Sequence, residues 1–194
     1  MRTPGAADGF ASGSASGSAG GSGGAPDTAR VAPQIVHLFE VPEHRAAMAA
    51  LIHDEFWLTV PGASAECMAA RLAEAACADR VPLALVAVHE GQAIGVVNLV
   101  ESDDDHHPEW TPWLAGMVVA EGWRGRGVGS ALVRELLVRA QRLGVGCLYF
   151  GTDGPRFYAR LGAVLHEQAR PGFWFMRFDL AAEPAAEPTA EGAA

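Results

Sequence analysis

Arg124, Gly125, Arg126, Gly127, Val128, Gly129 and Ser130 form the stretch of this chain best suited to hold a charged ligand. Glycines let backbone N–H groups approach a ligand closely, and the apolar recurrence of Leu132, Val133, Leu136, Leu137 and Ala140 makes the next segment a helix. A glycine-rich turn that feeds a helix N-terminus is an anion site. The first-turn N–H groups have no intrahelical partners, and the helix dipole favours negative charge there. Arg124 and Arg126 add positive charge. A phosphate loop of the Walker type is excluded, because it needs a lysine and the chain contains none. A dinucleotide fingerprint is disfavoured as well. The glycine spacing is 125, 127, 129, with serine at 130, and no second parallel strand ends in the required acid.

The elements that must position this turn can be read in order. Residues 34–39 alternate as a first strand, and Pro42 opens a helix whose stripe is Met48, Leu51, Ile52 and Phe56, running through Trp57. Pro61-Gly62 breaks it, and Ser64 caps a second helix carrying Met68 and Leu72. Residues 83–89 and 93–100 form a hairpin around Gly91, and 101–111 is a polar loop. The apolar run 114–119 is the strand before the glycine turn. The helix that follows carries a Glu135/Arg139 pair and stops at Gly144. Then come a strand at 146–151, a short helix at 155–161, a strand at 163–167 and a last strand at 173–180.

Composition sets the limits. With 194 residues and 49% apolar content, a single domain with a full core is expected. Residues 1–33 are rich in Gly, Ser and Ala and are expected to be disordered, as is the Ala/Glu/Pro tail 181–194, which leaves the domain at 34–180. No apolar run is long enough to span a membrane and no signal-peptide pattern stands at the N-terminus, so a cytoplasmic location is expected. Cys67, Cys77 and Cys147 lack metal spacing, suit a reducing compartment and are expected to be buried as small apolar residues. A net charge of −9 argues against a nucleic-acid partner and mildly favours cationic small molecules, although it also serves solubility.

The pattern R-x-x-G-x-G from Arg124 to Gly129 follows the strand WLAGMVV and precedes GSALVRELLVRA, with LYFGT and FYARLGA further on. Together these resemble the GNAT family of acetyl-CoA-dependent N-acetyltransferases, over 34–180 and most densely over 113–162. The resemblance implies an α/β (α+β) fold: a mixed, mostly antiparallel sheet with helices on both faces, in the order β-α-α-β-β-β-α-β-α-β-β. It implies acetyl-CoA as cosubstrate, no metal, and a bulged strand whose backbone at Met117, Val118 and Val119 meets the pantetheine arm. The amides from Arg124 to Gly129, Val128 included, and the Ser130 hydroxyl would hold the pyrophosphate. An amide of Val118 or Val119 would polarise the thioester. Tyr158, in the stretch beginning at Phe157, would be the acid beside the sulfur, with Phe157 and Thr152 on the cosubstrate side. Thr152 stands six residues before Tyr158, where many members have Asn seven before it.

The residues leave the proton acceptor open. An amine of pKa ~10.4 is neutral in only about one molecule in 2,500 at pH 7, so something must take its proton. Glu101, Asp103, Asp104, Asp105 and Glu109 are candidates, as is a water chain, and Glu109 is nearest the central strand in sequence. The function implied is direct acetyl transfer to an amine, with a polyamine, an aminoglycoside-like amine, an amino acid and a protein N-terminus all compatible. A non-catalytic acyl-CoA-binding or sensing module is the alternative. A third reading has a longer acyl chain in a pocket lined by Trp57, Trp110 and Trp113. The apolar last strand is a candidate for pairing across a homodimer.

Overall fold

The computed structural model describes residues 32–180. The elements in order are β1 (Gln34–His37), α1 (Arg45–Ile52), α2 (Ala65–Glu74), β2 (Leu83–His89), β3 (Gln92–Val100), β4 (Trp113–Val119), α3 (Val128–Arg142), β5 (Cys147–Thr152), α4 (Pro155–Ala159), β6 (Val164–Arg170) and β7 (Phe173–Asp179). This is the expected order, with α4 ending earlier and β6 running three residues further than the sequence suggests. The disorder expected of the N-terminal segment and of the tail concerns residues almost all outside the described ones.

Local chemistry accounts for the boundaries. The Ser64 hydroxyl accepts the Cys67 N–H at 3.2 Å and caps α2. The β2–β3 turn places Glu90 and Gly91 at positive φ, the geometry of a tight hairpin. On α3, Arg139 donates to Glu135 at 2.7 Å. Gly144 ends the helix at φ +78°.

The seven strands form one sheet in the order β1-β2-β3-β4-β5-β7-β6. Every neighbouring pair is antiparallel except β4 and β5. Two cores follow from strand alternation. One face packs Leu85, Leu99, Leu114, Leu148 and Phe150 against Leu132, Val133 and Leu136 of α3. The other packs Ala84, Val86, Val96, Ala115 and Val118 against Met48, Ile52, Met68 and Leu72 of α1 and α2. β7 lies between β5 and β6 with both edges hydrogen-bonded, so the last strand cannot pair across a dimer as the sequence suggests. The free sheet edges belong to β1 and β6.

A third, smaller cluster gathers Trp110, Trp113 and Phe175, with Tyr149 against it. The His107 ring stacks on Trp110 with centroids 3.8 Å apart, the Asp104 carboxylate lies 3.2 Å from its Nδ1, and the Trp113 indole N–H donates to the Trp110 carbonyl. The acidic loop is thereby fastened over the start of β4. Trp57, Trp110 and Trp113 are all buried in these clusters, so they do not line an acyl pocket. Cys67 is exposed and Cys77 and Cys147 are half-buried, contrary to the expectation that all three are buried. Cys67 lies in the first turn of α2, outside the stripe of Met68 and Leu72 that faces the sheet.

His37 is 3% exposed, and neither ring nitrogen has a hydrogen-bond partner among the described residues. Burial lowers its pKa below 6.5, and the Arg139 charge pushes the same way. Glu40 and Glu135 oppose them without prevailing. The unfolded chain therefore binds the His37 proton more readily than the native one. This contribution to stability is complete above pH 6.5 and declines as the pH falls from there toward the lowered native pKa. Denaturant midpoints measured from pH 8 down to 5 should show that decline, and His37→Phe should flatten it.

Candidate active site

The parallel contact between β4 and β5 is confined to one end. Trp113 pairs with Tyr149, and the Tyr149 N–H donates to the Pro112 carbonyl at 3.0 Å. Beyond Trp113 the two strands pair no further. On its other side β4 stays paired to β3, but with a register shift. Asn98 faces Ala115 and Val96 faces Val118, so Gly116 and Met117 stand opposite Val97 alone. This two-against-one arrangement is a β-bulge, and Gly116 takes φ +55° within it. The bulge expected on the strand before the glycine turn is present.

A cleft of about 340 Å³ opens there, lined by Met117, Val118 and Val119, by Gly125, Gly127, Val128, Gly129 and Ser130, and by Phe157. Gly127 is the N-cap of α3 at φ +88°, no side chain caps the helix, and the first turn carries no acid. The unpartnered N–H groups and the positive end of the dipole therefore meet no competing negative charge from the helix itself. A Cβ at Gly129 would lie 3.4 Å from Phe157 Cζ and 3.6 Å from Met117 Sδ, so the loop packs closely against the cleft wall.

The other cleft residues are Glu55, Trp123, Arg124 and Arg160. Arg124 donates through Nε to the Val119 carbonyl at 2.8 Å and through Nη2 to Glu55 Oε2 at 2.6 Å. It ties the glycine loop both to the end of β4 and to the π-helical turn His53–Trp57 that extends α1. Its charge is thus largely met by Glu55. Arg160 forms no ion pair among the described residues and brings net positive charge to the cleft.

Not every residue expected at the site lies there. Arg126 stacks over Trp123, its guanidinium 5.3 Å from the ring centre, outside the cleft lining. Thr152 is fully buried, and its hydroxyl accepts the Gly154 N–H at 3.0 Å. Tyr158 is 1% exposed, with its ring packed against Phe150 and Phe157 at 4.4 and 4.8 Å. Burial, with a smaller push from Asp153, drives its hydroxyl far above the usual phenol pKa. Glu109 is exposed in the loop before β4 and does not line the cleft.

Glu55, Trp123 and Arg160 are cleft residues that the sequence does not single out. Only Glu55 carried a signal: it continues the spacing of Met48 and Ile52, an acid on an otherwise apolar helix stripe.

The sheet thus splays at its one parallel pair and opens onto an uncapped helix N-terminus. The chain belongs to the GNAT acetyltransferase family, whose model matches residues 49–163. Over 53 residues it is 47% identical to mycothiol acetyltransferase of Nocardia farcinica, a match covering 27% of this chain and 16% of that protein. Among solved structures it is similar to the aminoglycoside 6'-N-acetyltransferase of Enterococcus faecium, with TM-score 0.58 and 18% identity over 78% of this chain and 99% of that one. It is also similar to the ribosomal-protein-S18-alanine N-acetyltransferase of Escherichia coli, with TM-score 0.56 and 16% identity over 80% and 98%. An aminoglycoside 6'-N-acetyltransferase complexed with coenzyme A has TM-score 0.58 and 17% identity over 78% and 99%. At these identities the structures speak for the fold.

A Cβ at Gly127 would meet nothing within 4 Å, so its cost is backbone conformation alone. Gly127→Ala should destabilise the fold by about 1–2 kcal/mol, read as a lowered denaturant midpoint at unchanged slope.

Proposed function

We propose that this protein transfers an acetyl group from acetyl-CoA directly to the primary amine of a small-molecule acceptor. The observation that carries the reading is the continuity of the cleft. A strand edge at Met117, Val118 and Val119 leads without a break to the amides of Gly127, Val128, Gly129 and Ser130. An extended amide-bearing arm suits the first and a pyrophosphate suits the second. CoA carries both, joined in that order.

In the proposed reaction the amine nitrogen attacks the thioester carbonyl, whose oxygen is polarised by the N–H of Val118 or Val119. The C–N bond forms, the C–S bond breaks, and the thiolate takes a proton from Tyr158, which is restored by the proton that the former amine nitrogen sheds as it becomes an amide. The ammonium proton leaves through water to Glu109, which reaches the reacting centre only indirectly from its exposed loop. Arg160 and the amides of the glycine loop hold the phosphates, while Arg124 braces the loop.

The burial of Tyr158 favours a second reading, an acyl-CoA-binding module without turnover, since a phenol packed in the core and outside the cleft lining is poorly placed to meet a sulfur. The two readings separate in one assay. CoA release is followed with a thiol reagent, using acetyl-CoA against aminoglycosides, polyamines, amino acids and short peptides, and acetyl-CoA binding is measured by calorimetry. Turnover with one acceptor class supports the enzyme and names its substrate. Binding without turnover across the panel supports the module. If Tyr158 is the acid, Tyr158→Phe should lose about 10²-fold in kcat with CoA affinity unchanged, and an unchanged kcat would remove it from the mechanism.

A further inference from the structure

The β3 run from Ile94 to Val100 is apolar but for Gly95 and Asn98. Asn98 is 2% exposed, on the sheet face toward α2, where it lines a second cavity of about 200 Å³ with Arg71, Leu72, Glu74 and Glu101. Burying an amide is costly unless it is hydrogen-bonded. Its Nδ2 donates to the Ala115 carbonyl at 3.3 Å, and because that partner is an acceptor, the NH₂ end must face it. Its Oδ1 is buried without a partner among the described residues. This single bond is therefore the visible compensation for placing a polar group in the strand.

The location of the bond is informative. Ala115 is the last residue of β4 in register before the shift, and Gly116 and Met117 are the bulged pair. A bulge disrupts the ladder and bends its strand, so the side chain of Asn98 supplies a donor from β3 at the place where backbone pairing is disturbed. The residues immediately beyond the bulge are Val118 and Val119. We propose that Asn98 is a positioning residue for acyl transfer: its bond to Ala115 fixes the bulge that aims the amide of Val118 or Val119 at the thioester. This rests on the reading that the β4 edge holds the pantetheine arm. Asn98 does not line the cleft, and it acts through the β4 backbone alone.

Three measurements test it. Asn98→Leu removes the donor and should lower kcat at least tenfold, while the affinity for ADP, which carries a pyrophosphate and no pantetheine, stays within twofold of the native protein. Asn98→Asp keeps the shape but donates only when its carboxyl is protonated. Its kcat relative to the native protein should rise as the pH is lowered from 8 to 5, a trend that a packing defect does not produce. In the native protein, the Asn98 side-chain NH₂ resonances should be protected from solvent exchange and should shift when CoA is added, a result independent of whether either variant folds. The proposal is overturned by variants that turn over within twofold of native, by a loss of ADP binding that matches the loss of kcat, or by Asn98 NH₂ protons that exchange freely and ignore CoA. A native protein that binds CoA but acetylates no acceptor defeats the parent reading instead, and the resonance measurement then decides on Asn98 alone.

Discussion

Everything at the candidate site depends on β4 and β5 pairing at one end and parting at the other. Parallel strands buried between helices normally pair along their length, because unpaired backbone groups are costly in a dry interior. Here the pairing stops after Trp113 and Tyr149. The closed end is clasped by aromatic packing: Trp110, Trp113, Tyr149 and Phe175 lie within ring contact, and His107 stacks on the outer face of Trp110. The open end is held apart by the bulge at Gly116 and Met117 on β4 and by the turn of β5 into α4. The cleft is therefore built by two opposed devices on one strand pair, a clasp and a wedge.

The glycine loop brings to that cleft the uncapped, positive end of a helix. Its N–H groups are available because no side chain caps α3, and the loop is steadied from outside by Arg124, which bonds to the Val119 carbonyl and to Glu55. That pair also links the turn that extends α1 to the glycine loop. It is partly exposed, with the Arg124 side chain 36% and Glu55 22% accessible, so its value is geometric more than energetic.

Elements governed by local pattern were legible in the sequence. The periodicity of α3, its glycine stop, the Ser64 cap and the β2–β3 turn depend on residues within a few positions of one another, and the structure has them where they were expected. The order of elements and the GNAT scaffold followed from the motif in its context. What depends on contacts between distant segments was not legible. Glu55 and Arg124 are 69 positions apart, and nothing near Glu55 announces the loop it meets. The placement of β7 inside the sheet is a matter of strand order, which an apolar strand does not reveal. The depth of Tyr158 depends on how Phe150 and Phe157 close around it. Asn98 is an intermediate case: a polar residue in an apolar strand is visible in the sequence, but its purpose appears only with the register shift on β4.

In the proposed function the parted end of β4 and β5, with the glycine loop, receives CoA. Amide hydrogen exchange on the native protein with and without saturating CoA tests it most directly. Protection concentrated in residues 117–130, with β1, β6 and the aromatic clasp unchanged, is the predicted result. CoA that binds yet leaves residues 117–130 exchanging as before, or protects a different part of the sheet, would contradict it.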